Sequence, residues 1–176
     1  MVDAAALTGN WTLDPVHSRL GFSARHAMVT KVRGNFDSFE GTAYTDAANP
    51  SASRVEVTIQ ADSINTNNEG RDQHLRTNDF LEVVTYPTIT FKSTKVSFAG
   101  DMPSGVDGNL TMLGVTKPVS LTFERFKCGS NPFNKKARCG GNAVGKFKRS
   151  DFGMKTALPA VGDEIALNIE FEGDKD

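Results

Sequence analysis

The sequence predicts an all-β fold, an antiparallel barrel of eight strands with one short helix, on three observations. Apolar and polar residues alternate with period two in several runs, and turn chemistry separates those runs. One segment, 66–77, breaks the alternation and carries helix-start chemistry instead. Period two with a single apolar face is the pattern of half-buried strands, most simply antiparallel ones. Eight strands are the number at which a closed barrel just encloses one small ligand.

The strands follow in order. Residues 20–26 place Leu20, Phe22, Ala24 and His26 on one face, the inner one; His17 has the opposite parity. In 55–61, Val55, Val57, Ile59 and Ala61 alternate with Glu56, Thr58 and Gln60. Ile89 and Phe91 are apolar at odd positions, whereas Val96 and Phe98 are apolar at even ones, so a bulge is expected around Ser93–Lys95. Val119, Leu121 and Phe123 continue the pattern, as do Ile165, Leu167, Ile169 and Phe171. Asp14-Pro15, Asn49-Pro50, Gly100 to Gly108, Gly114 to Pro118, Gly129 to Pro132 and Val161-Gly162-Asp163 supply the turns. No composition break divides the chain, which reads as one domain over 1–176 with a flexible N-terminal extension over 1–9.

The exception opens Thr66-Asn67-Asn68-Glu69, which reads as a capping box with Thr66 as N-cap and Glu69 at the third helical position. A helix of about three turns follows, anchored by Leu75, Phe80 and Leu81. It carries Arg71, Asp72, His74, Arg76 and Asp79, residue types that enzymes favour. Helical geometry turns Asp72 and His74 about 200° apart, so they cannot share one metal ion. Helical zinc ligation needs histidines four apart, as in HExxH, and the chain holds only His17, His26 and His74. The expectation is no metal, no catalytic residue and no cofactor. Arg71 and Asp72 instead suit a lid helix, bonded to loop carbonyls and amides over a barrel end.

Charge is uneven. The net charge is −1, with 20 basic and 21 acidic residues, and eight of the basic ones lie in 125–149 without any acid. That segment contains Arg125, Lys127, Lys135, Lys136, Arg138, Lys146, Lys148 and Arg149. It reads as a hairpin with a solvated outer face; an anionic membrane surface is the alternative partner. No interleaved aromatic pattern points to nucleic acid. Cys128 and Cys139 flank its loop, and either a cross-strand disulfide or two thiols fits; a cytoplasmic chain favours thiols. The start MVDAAALTGNW has no basic and apolar leader pattern, so the chain is expected to be cytoplasmic, or extracytoplasmic if a leader has been removed. A homodimer through a strand edge or this hairpin is a further expectation.

Six stretches in order, WTLDPVHSRLGFSARH, VRGNFDSFEG, SINTNNEGRDQHLRTNDF, YPTITFKS, GNLTMLGVTKPVSL and RSDFGM, resemble the YceI-like family of lipocalin-like, polyisoprenoid-binding proteins. The resemblance implies an extended lipocalin-like barrel, a helix packed near its mouth and an apolar tunnel for a long isoprenoid or related lipid. It also implies a binding or carrier protein for a polyprenyl chain or isoprenoid quinone, not an enzyme. Twelve phenylalanines against two tyrosines and one tryptophan agree with a wholly apolar lining. Phe22, Phe36, Phe39, Phe80, Phe91, Met112, Phe123 and Phe152 are the candidate tunnel walls, and His17, Arg71, Asp72 and His74 the candidate head-group contacts. The competing readings are an enzyme using Arg71, Asp72 and His74, and a membrane-surface module using the 125–149 hairpin.

Overall fold

Alternating apolar residues bury one face of each strand, and the way β11 is paired lets the sheet close on itself. A computed structural model describes residues 4–176. Its strands are β1 (Gly9–Leu13), β2 (Arg19–His26), β3 (Thr30–Phe36), β4 (Phe39–Thr45), β5 (Arg54–Gln60) and β6 (Ile64–Asn65). After the helical segment come β7 (Thr88–Ala99), β8 (Met102–Met112), β9 (Val115–Ser130), β10 (Ala137–Lys148) and β11 (Val161–Lys175). Two short helices, α1 (Ala4–Leu7) and α2 (Glu69–Leu75), complete the regular elements with three 3-10 turns.

Every pairing is antiparallel, in the order β1-β4-β5-β7-β8-β9-β10-β11, and β11 pairs back to β1. That ring is the closed eight-stranded barrel. β11 is long enough to serve two partners: Val161–Glu170 runs along β2, and Gly173–Lys175 along β1. From β2 the sheet continues through β3 to the two-residue β6, so the wall splays at one end. Helix α2 follows β6 there, and Arg76 holds it to the β5–β6 corner by donating to the carbonyls of Asp62 (2.8 Å) and Ile64 (3.2 Å). This end also carries the β2–β3 turn and the segment 149–160. The opposite end carries α1, the β7–β8 turn and the β9–β10 loop.

The bulge expected in β7 is present: its pairing with β8 slips between Ser93 and Lys95, which keeps Ile89, Phe91 and Val96 all buried. Several turn signals land elsewhere; the 114–118 turn narrows to Leu113-Gly114, with Val115 onward in β9. The 100–108 turn narrows to Gly100–Asp101, with Met102 onward in β8, and Val161–Asp163 lies inside β11, where its register with β2 shifts. The extension expected over 1–9 is corrected from Ala4 onward. Leu7 is buried with Trp11 and Cys139, and Trp11 Nε1 donates to the Leu7 carbonyl (3.1 Å) and Thr45 Oγ1 (3.0 Å). Residues 1–3 lie outside the described residues.

Helix α2 is shorter than the capping-box reading, at seven residues, and starts later. Asn68, not Thr66, is the N-cap: its side chain accepts from the Arg71 amide (2.9 Å). Thr66 is drawn away because its amide and hydroxyl donate to Asp72, so Glu69 begins the helix instead of closing a box. Asn67 adopts a positive φ of 60°, which breaks the helical path between Thr66 and the true cap.

The basic hairpin forms as β9 and β10, but two of its cations are structural. Arg138 donates to Asp174 (2.7 Å), Glu172 (2.8 Å) and Asp14 (3.0 Å), joining β10, β11 and the bend after β1. The guanidinium holds the Asp174 carboxyl down to about 2, and His17 with Arg138 keeps Asp14 below its usual range. Arg149 is buried and donates to the carbonyls of Val161 (2.9 Å), Gly162 (3.0 Å) and Met154 (3.1 Å). Cys128 and Cys139 are directly opposed in the β9–β10 register and form a disulfide, which corrects the thiol expectation.

Two outcomes test this framework. Arg138→Met removes the cation that three carboxylates share and is expected to lower stability by about 2 kcal/mol. A carboxyl depressed in the folded state stabilises fully above its unfolded value and loses that contribution as pH falls through its folded value. Urea midpoints of the parent protein should therefore drop between pH 3.8 and about 2, and the drop should flatten in the variant. The disulfide spans 11 positions; Cys128→Ser with Cys139→Ser should lower stability by about 2–3 kcal/mol and abolish the response of the thermal midpoint to reductant.

Candidate ligand cavity

The barrel is hollow. Ile165, Leu167, Ile169 and Phe171 point inward from β11 yet stay only half-buried, because they face a lumen and not a packed core. The cavity measures about 600 Å³ and runs from α1 to α2, within the range of pockets that take a small organic ligand. Its wall is almost wholly aliphatic and aromatic. Small inward residues make the room: the Phe22 ring lies against Gly34, where a Cβ would come within 2.6 Å of it.

Leu7, Trp11 and Cys139 pack together as a floor. Above it Phe123, Phe126 and Phe171 form an aromatic band, with Phe123 and Phe171 centroids 5.2 Å apart. Toward α2 the lining includes His26, Arg71, His74 and Ala157, all of which also reach solvent, so this end is the mouth. Asp101 is an exposed lining residue at the opposite turn. Arg149 lines the mouth from beneath, its guanidinium 6.0 Å from the centre of the Phe80 ring. Burial pushes its pKa down while Asp163 supports the charged form, and three carbonyls take up its donors.

Six of the eight candidate wall residues line this cavity: Phe22, Phe36, Phe80, Phe91, Met112 and Phe123. Phe39 does not; it opens β4 beside the break at Asp37–Ser38. Phe152 does not either; it is 2% exposed behind the wall, edge-on to Phe147 at 5.4 Å, and Phe147 is the ring that faces the lumen. Parity alone cannot tell a lining ring from one packed behind it.

The four head-group candidates separate. Arg71 and His74 are at the mouth. His17 is remote from it, in the bend after β1, where its Nδ1 meets Asp14 at 2.8 Å. Asp72 is buried beneath α2 and faces Thr66, accepting from its amide (2.9 Å) and its hydroxyl. Arg71 donates to the same threonine's Oγ1 (2.7 Å) and carbonyl (2.8 Å). Arg71 and Asp72 thus pin the helix, while His74 turns outward to Asp79 at 2.8 Å. The acid–base pair that an enzyme reading of this segment requires does not assemble: Asp72 and His74 bond to different partners on different sides of α2.

His26 and Arg149 are mouth residues beyond those candidates. Strand parity already placed His26 inward, next to Phe22 and Ala24. Arg149 follows the last alternating residue of β10, and nothing local distinguishes it from the exposed Lys146 and Lys148. Asp14, His17 and Glu172 bring three ligand-type atoms within 4.8 Å of one another, but Arg138 donates to both carboxylates and already sets a cation beside them.

Comparison with known proteins agrees with this architecture. The profile of the YceI-like domain matches residues 11–173. Protein YceI of Salmonella newport strain SL254 is 41% identical over 157 residues, covering 89% of this chain and 81% of that protein. The crystal structure of the Campylobacter jejuni YceI protein superposes with a TM-score of 0.71 at 31% identity, covering 86% of this chain and 90% of the other. A polyisoprenoid-binding domain from Saccharophagus degradans shares the fold at a TM-score of 0.70 and 16% identity, over 94% of this chain and 98% of that one. A closed eight-stranded barrel around an apolar cavity, with the profile matched from Trp11 in the floor to Gly173 beside β1, makes this chain a member of the YceI-like family.

Proposed function

We propose that the protein is a non-enzymatic carrier that holds an isoprenoid lipid, a polyprenyl chain or isoprenoid quinone, with its tail in the barrel and its polar head at α2. The observation that carries this reading is the cavity's polarity: an almost wholly apolar wall from floor to mouth, with His26, Arg71, His74 and Arg149 gathered at the mouth and Asp101 at the far turn. Each buried methylene contributes about 0.8 kcal/mol, so ten carbons supply roughly 8 kcal/mol before the entropic costs of association. A tail of that kind needs little from its head group. The fold shared with a polyisoprenoid-binding domain supports the same ligand class. The disulfide favours the extracytoplasmic of the two locations that the sequence leaves open.

Native mass spectrometry of the gently purified protein, followed by organic extraction, should reveal a bound prenyl lipid or uptake of an added one. Neither would be seen if the reading is wrong. Trp11, the sole tryptophan, stands in the floor, so its emission should shift only for tails long enough to reach it. Ala143 is a small lining residue, 2% exposed; Ala143→Phe should reduce uptake by about tenfold or more while costing about 1–3 kcal/mol of stability. His74→Ala should weaken a hydroxyl- or carbonyl-headed lipid by about 1 kcal/mol, roughly fivefold, and leave a plain hydrocarbon unaffected.

A further inference from the structure

The turn between β2 and β3 is built against local preference. Val29 N donates to the His26 carbonyl (3.0 Å), and the two central residues, Ala27 and Met28, have φ of 51° and 59°. A turn with both central residues left-handed favours Asn-Gly, because a Cβ makes that conformation unfavourable. Here Met28 occupies one position and Val29 follows it, and they are 86% and 82% exposed. Two apolar side chains thus protrude from a strained tip where polar or glycine residues would be more stable.

The surroundings of the tip are cationic. Residues 16–36 contain no acid. Arg25 and Lys31 are register partners just behind the turn, Arg33 follows two positions along β3, and all three are exposed. They share the outward face of the hairpin, while Phe22, Ala24, His26 and Val32 face the cavity. The acids on neighbouring β11 do not neutralise this end: Asp163 accepts from Ser150, Glu164 faces Lys146 at 3.8 Å, and Glu170 is opposite Arg19, far from the turn. The tip is also joined to the mouth, because the Ala27 amide donates to the Ala160 carbonyl (2.7 Å) in the loop that contributes Ala157 to the lining.

We propose that this hairpin docks on an anionic phospholipid bilayer, with Met28 and Val29 inserted below the headgroups and Arg25, Lys31 and Arg33 against the phosphates. Apolar side chains at a tip, flanked by long cationic ones, match the two layers of a membrane interface. Docking in this way sets the cavity mouth against the bilayer, which gives the carrier reading above its route for lipid entry; the docking itself rests on the tip alone. A second exposed apolar tip, Phe133 in the β9–β10 loop, lies at the floor end, where Asn134 donates to Asp174 within the acidic cluster around Arg138.

The test is flotation of the full chain with vesicles of phosphatidylcholine alone or with about one quarter phosphatidylglycerol, alongside uptake of a short polyprenol measured without vesicles. The parent protein should float with the anionic vesicles, weakly with the neutral ones, and less as salt rises from about 0.05 to about 0.5 M. Met28→Asn with Val29→Ser relieves the turn, so it should fold at least as well, yet bind anionic vesicles about tenfold more weakly or worse. Arg25→Gln with Lys31→Gln should lose a similar factor, and Phe133→Ser should lose none. Polyprenol uptake should be unchanged in all three. Absence of parent binding to anionic vesicles, or equal binding by the tip variants, overturns the docking proposal even if uptake is intact. Loss of a dimer in the tip variant by sedimentation, without any vesicle dependence, would assign the tip to self-association and likewise overturn it. Tip-dependent vesicle binding without any lipid uptake would uphold docking and defeat the carrier reading.

Discussion

The barrel exists because β11 is paired twice along one edge. Its first ten residues hydrogen-bond to β2 and its last few to β1, and the short pairing with β1 is what turns an open sheet into a ring. Closure removes exposed strand edges over the eight-membered ring, and it also forces the inward side chains to face one another across a lumen. Arg138 is placed at this seam. Its bonds to Asp14, Glu172 and Asp174 tie the bend between β1 and β2 to β11 and β10, where the ladder changes partner and backbone pairing is thinnest.

The same division of β11 explains why the two ends differ. Where β1 closes the ring, α1 and Trp11 fill the bore, and the Cys128–Cys139 disulfide staples the adjacent strands. Where β2 takes over, the wall continues to β3 and the very short β6, and the gap is covered by α2 instead of another strand. A helix has no ladder to hold it there, so its attachment falls to side chains. Asp72 and Arg71 converge on Thr66, Arg76 reaches the β5–β6 corner, and Leu75, Phe80 and Leu81 supply the apolar contact. The cluster that looks most like an active site in the sequence is mostly the fastening of this cover, and its position leaves His74 and part of Arg71 lining the mouth of the cavity.

Much of the fold was legible because strand burial repeats every two residues. The alternation in 55–61 and 165–171 marks inner faces correctly, and the change of parity between Phe91 and Val96 locates the β7 bulge. Site residues were legible only in part. Phe22 and Phe91 line the cavity as parity predicts, but Phe152 shares their composition and sits behind the wall, packed on Phe147. Thr66 looked like a helix cap because the local spacing T-x-x-E is satisfied; a tertiary bond to Asp72 overrides it.

By itself the sequence determined the strand pattern, the existence of one lid-like helix, the apolar character of the interior and the family motifs in their order. Each of these depends on residue type and short-range spacing, which a linear chain displays directly. The tertiary structure decided which cations are spent internally, that Cys128 meets Cys139, which rings face the lumen, and that His26 and Arg149 join the mouth. These depend on register between strands distant in sequence, as when β10 brings Arg138 against Asp14 across 124 positions. Only the closed ring specifies such neighbours.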